Sequence, residues 1–486
     1  MKKSTVHAKR IGPILKRDLS RVLLRPFHPT SEELARRMVA RVLALSDVEV
    51  SRQLQMVLGE FADRHANLER HLRDRFLQVR RHLDGAADLS PQRQTLIGAY
   101  FSHEYSLEAA ALFNPSIVPH PDQSGMGPGA LRFILSLRAT GEGHISSIAF
   151  REGAVSAQNR ITLVPGARLV SEPEGSSDAE YAKALFARKL AEAGLQNEFC
   201  QHVLERLPES FTLDDLRLVL AGDLLCGDAA DATASRAARG ILLLAESNYE
   251  VHFAASCEIG QRVLFPYTSS QSHGIEDARF VRFRDDDGSI TYYATYTAYD
   301  GRMTLPQLLE TPDFLHFKFS TLNGPAVQNK GMALFPRRLE GQYAMLSRQD
   351  DENILIMFSD NVRFWQKPTL LLSPEYPWEF LKMGNCGSPI ETEAGWLVIS
   401  HGVGPMRKYC LGAFLLDLED PRRVIGRLRE PLLAPNDSER DGYVPNVLYT
   451  CGALLHGREI IIPYGMSDCA TTFATISLED LLGGMG

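Results

Sequence analysis

From about residue 250 to its end the chain is a succession of short apolar runs, each followed by a turn, with no crossover helix between them. The runs are Tyr292–Tyr296, Phe314–Phe319, Tyr343–Leu346, Ile354–Phe358, Trp396–Ser400, Gly412–Leu416, Val447–Leu455, Ile460–Pro463 and Thr471–Ile476. Asp287-Gly288, Glu340-Gly341, Ala394-Gly395 and His456-Gly457 punctuate them. Many short strands at near-regular spacing suit a propeller, barrel or sandwich. The missing crossover helices argue against a parallel α/β sheet. The 37 Gly and 26 Pro among 486 residues fit a fold this rich in turns.

Earlier parts of the chain read differently. Residues 13 to about 110 carry helical text. Thr30-Ser31-Glu32-Glu33 has the form of a capping box with Thr30 as the cap, and Ser90-Pro91 opens a further helix with Pro at its first position. From about 111 the pattern turns to strands. A helical insertion interrupts it over about 171–245, with a capping box at Ser177-Asp178-Ala179-Glu180 and another helix start at Thr212-Leu213-Asp214-Asp215. The expected organisation is an N-terminal helical extension, 1–110, and a β domain, 111–486, interrupted by that insertion. Apolar helix faces need a partner surface, either the rim of the β domain or a homo-oligomer contact.

Charge and cysteine usage exclude several roles. The formal net charge is −8, which argues against nucleic acid or an anionic membrane as the main partner. No apolar run reaches spanning length, and no signal-peptide core follows the basic N-terminus. Seven scattered Cys without a C-x-x-C pair predict reduced thiols and a cytoplasmic location. No Walker loop, dinucleotide fingerprint or H-E-x-x-H occurs, so neither an organic cofactor nor a metal is expected.

Polar residues gather at the ends of the apolar runs. Gly274-Ile275-Glu276-Asp277-Ala278-Arg279 places two carboxylates and an Arg within four positions. Asp300 follows an aromatic run, Arg348 ends another, and Lys382 precedes Met383-Gly384-Asn385-Cys386-Gly387. His401-Gly402 closes a further run, and Asp468 follows Tyr464-Gly465. An acid at a strand end protonates a leaving oxygen when its pKa is raised, and converging Arg and Lys hold a phosphate or carboxylate. Each residue also has a plainer reading: Asp before Gly as a turn residue, the acidic cluster as a structural ion network, His401 as a satisfied turn histidine.

These residues, in order, resemble glycoside hydrolase family 130, the mannoside phosphorylases and related β-mannosidases. The resembling text is Phe113-Asn114-Pro115, Ser136-Leu137-Arg138, Gly274 to Arg279, Tyr296 to Gly301, Leu334-Phe335-Pro336 and Lys382-Met383-Gly384. It continues through Gly395-Trp396-Leu397, His401-Gly402-Val403, Leu415-Leu416-Asp417, Val444-Pro445-Asn446 and Tyr464 to Asp468. The resemblance implies an all-β five-bladed β-propeller with its site in the central cavity. It implies Asp300 as the general acid. Asn114, Arg138 and Asp468 then bind the −1 sugar, with Glu276, Asp277 and Arg279 beside it. Tyr299, Tyr409 and His401 line the pocket, and Arg348 and Lys382 face phosphate. The implied reaction is inverting phosphorolysis of a β-mannoside, with inorganic phosphate as co-substrate and α-mannose 1-phosphate as product. The alternative on this scaffold is a β-mannosidase, which needs a second carboxylate to activate water. A third reading is a non-catalytic carbohydrate-binding propeller. One departure favours the hydrolytic branch. Phosphorylases of the family place an Arg and a His facing phosphate where this chain has Phe358 and Phe364, and Glu391 and Glu439 are the candidate bases.

Overall fold

The computed structural model describes residues 6–80, 89–176, 180–192, 195–226, 232–302 and 304–485. The Ser177–Ala179 part of the expected capping box lies outside them.

Most of the chain is antiparallel sheet. Ala111–Pro119, Leu131–Thr140, Ser146–Val155 and Ile161–Leu163 form one meander. Gly274–Arg284, Ile290–Tyr299, Thr304–Thr311 and His316–Thr321 form the next. A single parallel pair, Gly274 with Ser146, ties these two meanders together. Ala333–Leu334, Tyr343–Ser347, Ile354–Ser359 and Thr369–Leu372 form a third. Lys382–Asn385, Gly395–Val403, Tyr409–Leu416 and Val424–Arg427 form a fourth. The last sheet joins Leu448–Tyr449, Glu459–Met466 and Ala470–Ser477 to Lys9–Leu15 from the other end of the chain.

Shared apolar clusters glue these sheets pairwise. Ile134 and Phe150 of the first meander pack with Phe280 and Tyr296 of the second. Phe283 and Leu308 of the second pack with Met345 and Met357 of the third. Leu346 and Ile356 meet Trp396 and Phe414 of the fourth. Leu397 and Ile399 meet Ile462 and Ile476 of the last, whose Ile461 and Phe473 pack in turn on Leu112 and Leu135 of the first. Burial on both faces explains why these strands read as continuous apolar runs rather than alternating ones.

The stretch 1–110 is not uniformly helical. Lys9–Leu15 and Val22–Pro26 are strands, the latter paired with Ser102–Ser106. Lys9–Leu15 alternates between exposed and half-buried positions and contains Pro13, which an edge strand tolerates but an interior one does not. That is why it lacks a strand signature in the sequence. Between these strands stand the helices Glu32–Leu43, Asp47–Phe61, Leu68–Val79 and Pro91–Tyr100, sharing a core that includes Val39, Val50, Phe76 and Leu96. The first of these is capped by Ser31, one residue beyond the expected Thr30, because the Ser31 side chain accepts from Leu34 N. Ser90 caps the fourth with Pro91 at its start. The helices Lys183–Glu192, Glu198–Arg206, Leu213–Cys226 and Ala232–Glu246 carry a separate core around Phe186, Val203, Phe211, Leu216 and Ile241.

Candidate active site

The polar centre is built where two strands break register. In Ala111–Pro119 the pairing slips between Phe113 and Ser116, and Asn114 sits at φ +48°. In Gly274–Arg284 it slips between Glu276 and Arg279, and Asp277 sits at φ +54°. A bulge turns a side chain off the regular alternation. Here the two bulged residues meet, with Asn114 Nδ2 donating to Asp277 Oδ1 at 2.7 Å. Asn114 Oδ1 is buried and receives no hydrogen bond from a described residue. Arg138 donates to Glu276 at 2.6 Å and to Ser146 Oγ at 2.8 Å, and lies 3.5 Å from Asp277. Asp468 closes this side from the turn after Glu459–Met466, again at positive φ, +50°. Left-handed φ is uncommon outside glycine, Asn and Asp adopt it most readily, and here it turns three such side chains out of the regular strand alternation.

Arg279 joins this cluster to a second. It is fully enclosed and donates to the Cys386 carbonyl at 2.7 Å, the Tyr449 hydroxyl at 2.7 Å and the Asp277 carbonyl at 3.3 Å. Beyond it lies His401, with Tyr409 stacked at 5.8 Å and the Tyr449 ring tilted at 4.9 Å. Arg348 Nη1 lies 3.2 Å from His401 Nε2. A guanidinium only donates, so Nε2 accepts and the imidazole proton sits on Nδ1, 3.8 Å from Cys386 Sγ. Arg348 is also anchored by the Lys330 carbonyl at 3.1 Å. Gly331 at φ +95° leaves it room, since a Cβ there would fall 2.6 Å from Arg348 Nε. Asp351 pairs with Lys382 at 2.9 Å and with Arg348 at 3.7 Å, bringing the two predicted phosphate residues together.

Asp300 stands directly after Ile290–Tyr299, next to the start of the bulged strand: Tyr299 pairs with Gly274, and His273 N donates to Tyr299 O. Asp300 Oδ1 accepts from Arg302 N at 2.8 Å, so the expected turn contact is present and holds the carboxyl in one orientation. The Tyr299 ring meets His273 edge-on at 6.0 Å.

The charges set one another. Burial raises the Asp277 carboxyl, but Arg138, Lys330, Arg279 and the Asn114 bond outweigh it, and the net shift is downward. Asp468 is pushed up to about 6 by burial and by Asp277, against the pull of Arg138, Arg407 and Lys330. Burial, then Arg348, Arg279, Lys382 and Lys330, hold His401 well below its ordinary value, so it is neutral. Two carboxyls that feel each other's charge, one held below the ordinary carboxylate range and one raised to about 6, are what acid–base chemistry and sugar-hydroxyl recognition need.

A family model described as β-1,4-mannooligosaccharide phosphorylase matches residues 232–485. The chain belongs to glycoside hydrolase family 130. The family 130 match begins after the first meander, so Asn114 and Arg138 lie outside it while the other residues of the site lie inside. The 1,2-β-oligomannan phosphorylase of Thermoanaerobacter sp. (strain X514) is 37% identical over 223 residues, 44% of this chain and 72% of that protein. The β-1,2-mannobiose phosphorylase of Listeria innocua is 31% identical over 226 residues, 45% of this chain and 62% of that protein. The β-1,4-mannooligosaccharide phosphorylase of Ruminococcus albus is 34% identical over 167 residues, 32% of this chain and 50% of that protein.

Four residues weighed for phosphate or water chemistry are engaged elsewhere. Phe358 pairs with Ala344, at the end of Tyr343–Ser347 away from Arg348, and carries Arg422 over its ring at 4.7 Å. Phe364 carries Arg188 at 5.0 Å. Glu391 is exposed and held by Arg337. Glu439 is buried and held by Arg10 at 2.6 Å and by the Tyr464 hydroxyl at 2.7 Å. Sequence reasoning missed Lys330, Asp351 and Tyr449. Lys330 was findable, since Asn329-Lys330-Gly331 is a polar turn just before the Leu334-Phe335-Pro336 motif. Tyr449 lay inside an apolar run and carried no signal.

Proposed function

We propose that this chain cleaves β-linked manno-oligosaccharides with inorganic phosphate, by inversion, to α-mannose 1-phosphate and a shortened acceptor. The relatives' names give the substrate class, β-1,2- or β-1,4-linked mannosides. The observation that carries the phosphate assignment is the meeting of Arg348 and Lys382 on their shared counter-charge Asp351, with neutral His401 against Arg348 and the Lys330 charge acting on it. Three cations of this kind form a cradle for a phosphate dianion.

In this reading Asn114, Arg138, Glu276, Asp277 and Asp468 hold the mannose at −1. Asn114 Oδ1 supplies an acceptor for a sugar hydroxyl. Arg279 fixes the bulged backbone behind it, and Tyr299 and Tyr409 wall the pocket. Asp300 supplies the proton to the departing oxygen, directly or through a mannose hydroxyl. Phosphate is already nucleophilic, so no protein base is required, and the chemistry calls for no organic cofactor. The ion pairs that occupy Glu391 and Glu439 count against either as a water-activating base, so the hydrolase is not the reading we favour. We also read the four meanders and the last sheet as five propeller blades. Each packs on two neighbours, and Lys9–Leu15 supplies the outer strand of the blade begun by the C-terminal strands.

The test is product analysis on β-1,2- and β-1,4-linked manno-oligosaccharides with and without phosphate. Release of α-mannose 1-phosphate only when phosphate is present is the expected result. Mannose released at the same rate without phosphate would overturn the reading.

A further inference from the structure

Two rings face each other on turns that adjoin the site, one in the hairpin of Arg138 and one packed beside Ser467 and Asp468, and take no part in the networks described above. His144 lies at φ +60° in the turn joining Leu131–Thr140 to Ser146–Val155, the hairpin that carries Arg138 and Ser146. Its ring stacks on Tyr443 with centroids 5.4 Å apart and planes 28° apart. Both residues are exposed, Tyr443 to 59%.

Their backbones are pinned. Tyr105 Oη donates to the Glu142 carbonyl at 3.0 Å, and Glu142 Oε1 accepts from Ser106 N at 2.9 Å, which anchors the His144 turn. On the other side Gly442 packs directly on the Ser467 carbonyl, and Val444 N donates to that same carbonyl at 3.1 Å. The residues flanking Tyr443 are therefore fixed beside Asp468. An amphipathic ring held in place before binding loses little entropy when a sugar face covers it.

Inversion decides which part of the substrate reaches this stack. Phosphate and the leaving sugar occupy opposite faces of the anomeric carbon. The cations assigned to phosphate, the buried Arg348 among them, act on the buried His401. The leaving sugar therefore points outward, past Arg138 and Asp468, to where the stack stands. We propose that His144 and Tyr443 form a binding platform for the acceptor part of a manno-oligosaccharide and so set the preference for chain length. The proposal rests on the phosphorylase reading for the direction of the chain, whereas the binding it predicts needs no turnover.

Calorimetric titration in an Asp300→Asn background separates the two. β-1,2- and β-1,4-linked mannotriose report the whole binding cleft, and α-mannose 1-phosphate reports only the −1 and phosphate positions. Tyr443→Ala and His144→Ala are each expected to raise the Kd of the bound trisaccharide about tenfold, while Tyr443→Phe stays within about twofold. The Kd of α-mannose 1-phosphate is expected to be unchanged in all three. Unchanged trisaccharide binding in both alanine variants would overturn the platform. So would an equal loss for both ligands, which is the mark of a stack that merely holds two loops. If the Asp300→Asn protein with both rings intact binds neither trisaccharide, the mannoside reading falls and the platform with it. If it binds trisaccharide but not α-mannose 1-phosphate, the phosphate assignment alone falls, and the alanine variants still decide the platform.

Discussion

Asp300 and Asp468 show how much one carboxyl depends on its surroundings. Asp300→Asn keeps the hydrogen bond to Arg302 N through its amide oxygen but removes the transferable proton. Turnover is expected to fall at least about 10³-fold with substrate binding retained, read by single-turnover kinetics beside a binding titration. Asp468 has a folded-state pKa of about 6 against an ordinary 3.8. The folded protein thus holds this proton more tightly than the unfolded chain does. The associated stability is full in acid, is lost as pH rises from about 4 to about 6, and becomes a constant penalty above that. Asp468→Asn is therefore expected to unfold in denaturant at higher concentration than the wild type above pH 6. The gain is roughly 2 kcal/mol after discounting the exposed part of the side chain, and it shrinks to nothing near pH 4. A gain that is the same at every pH would contradict this.

At the scale of elements, the site is made by irregularities in strands rather than by strands. The Asn114 and Asp277 bulges aim two side chains at each other across 163 positions of sequence. The Asp300 turn depends on Gly301, at φ +93°, where a Cβ would come within 2.8 Å of the His273 ring. Gly301→Ala is expected to cost about 1 kcal/mol in stability, because an L-residue resists that φ and the exposed His273 can yield. Its larger effect falls on kcat, about tenfold, because the turn that orients Asp300 shifts. Thermal unfolding and steady-state kinetics together check the split. A loss confined to stability would mean that the turn does not position the acid. The residue types of this turn and of Gly274 to Arg279 were legible in the sequence. The bulges were not, because a one-residue slip in pairing depends on the partner strand.

The whole molecule is tied end to end by Lys9–Leu15 on Ala470–Ser477. Arg10 of that strand reaches Glu439, which is 3% exposed, and the Glu439 carbonyl accepts from Ser467 Oγ beside Asp468. Burial raises the Glu439 carboxyl, but Arg10 and Tyr464 outweigh it and hold it below its ordinary 4.5. Its stabilising contribution is thus present above about pH 4.5 and disappears as pH falls through the lower folded value. Arg10→Met is expected to lower unfolding free energy by about 2 kcal/mol at pH 7. The difference should vanish in acid, with kcat/KM within about threefold of wild type. A stability loss that persists at pH 3 would show that packing, not charge, does the tying.

The sequence by itself determined that this chain is mostly short-stranded sheet, that it carries two helical stretches, and which polar residues end its strands. Those are properties of local spacing and turn chemistry. Only the tertiary structure decided that Lys9–Leu15 is a strand, since an edge strand needs its partner to be one. It alone placed Lys330 between the carboxylates and His401, occupied Glu391 and Glu439 with arginines, and sent Phe358 and Phe364 away from Arg348. Electrostatic roles are fixed by distance and burial, and residues hundreds of positions apart acquire those only when the sheets pack.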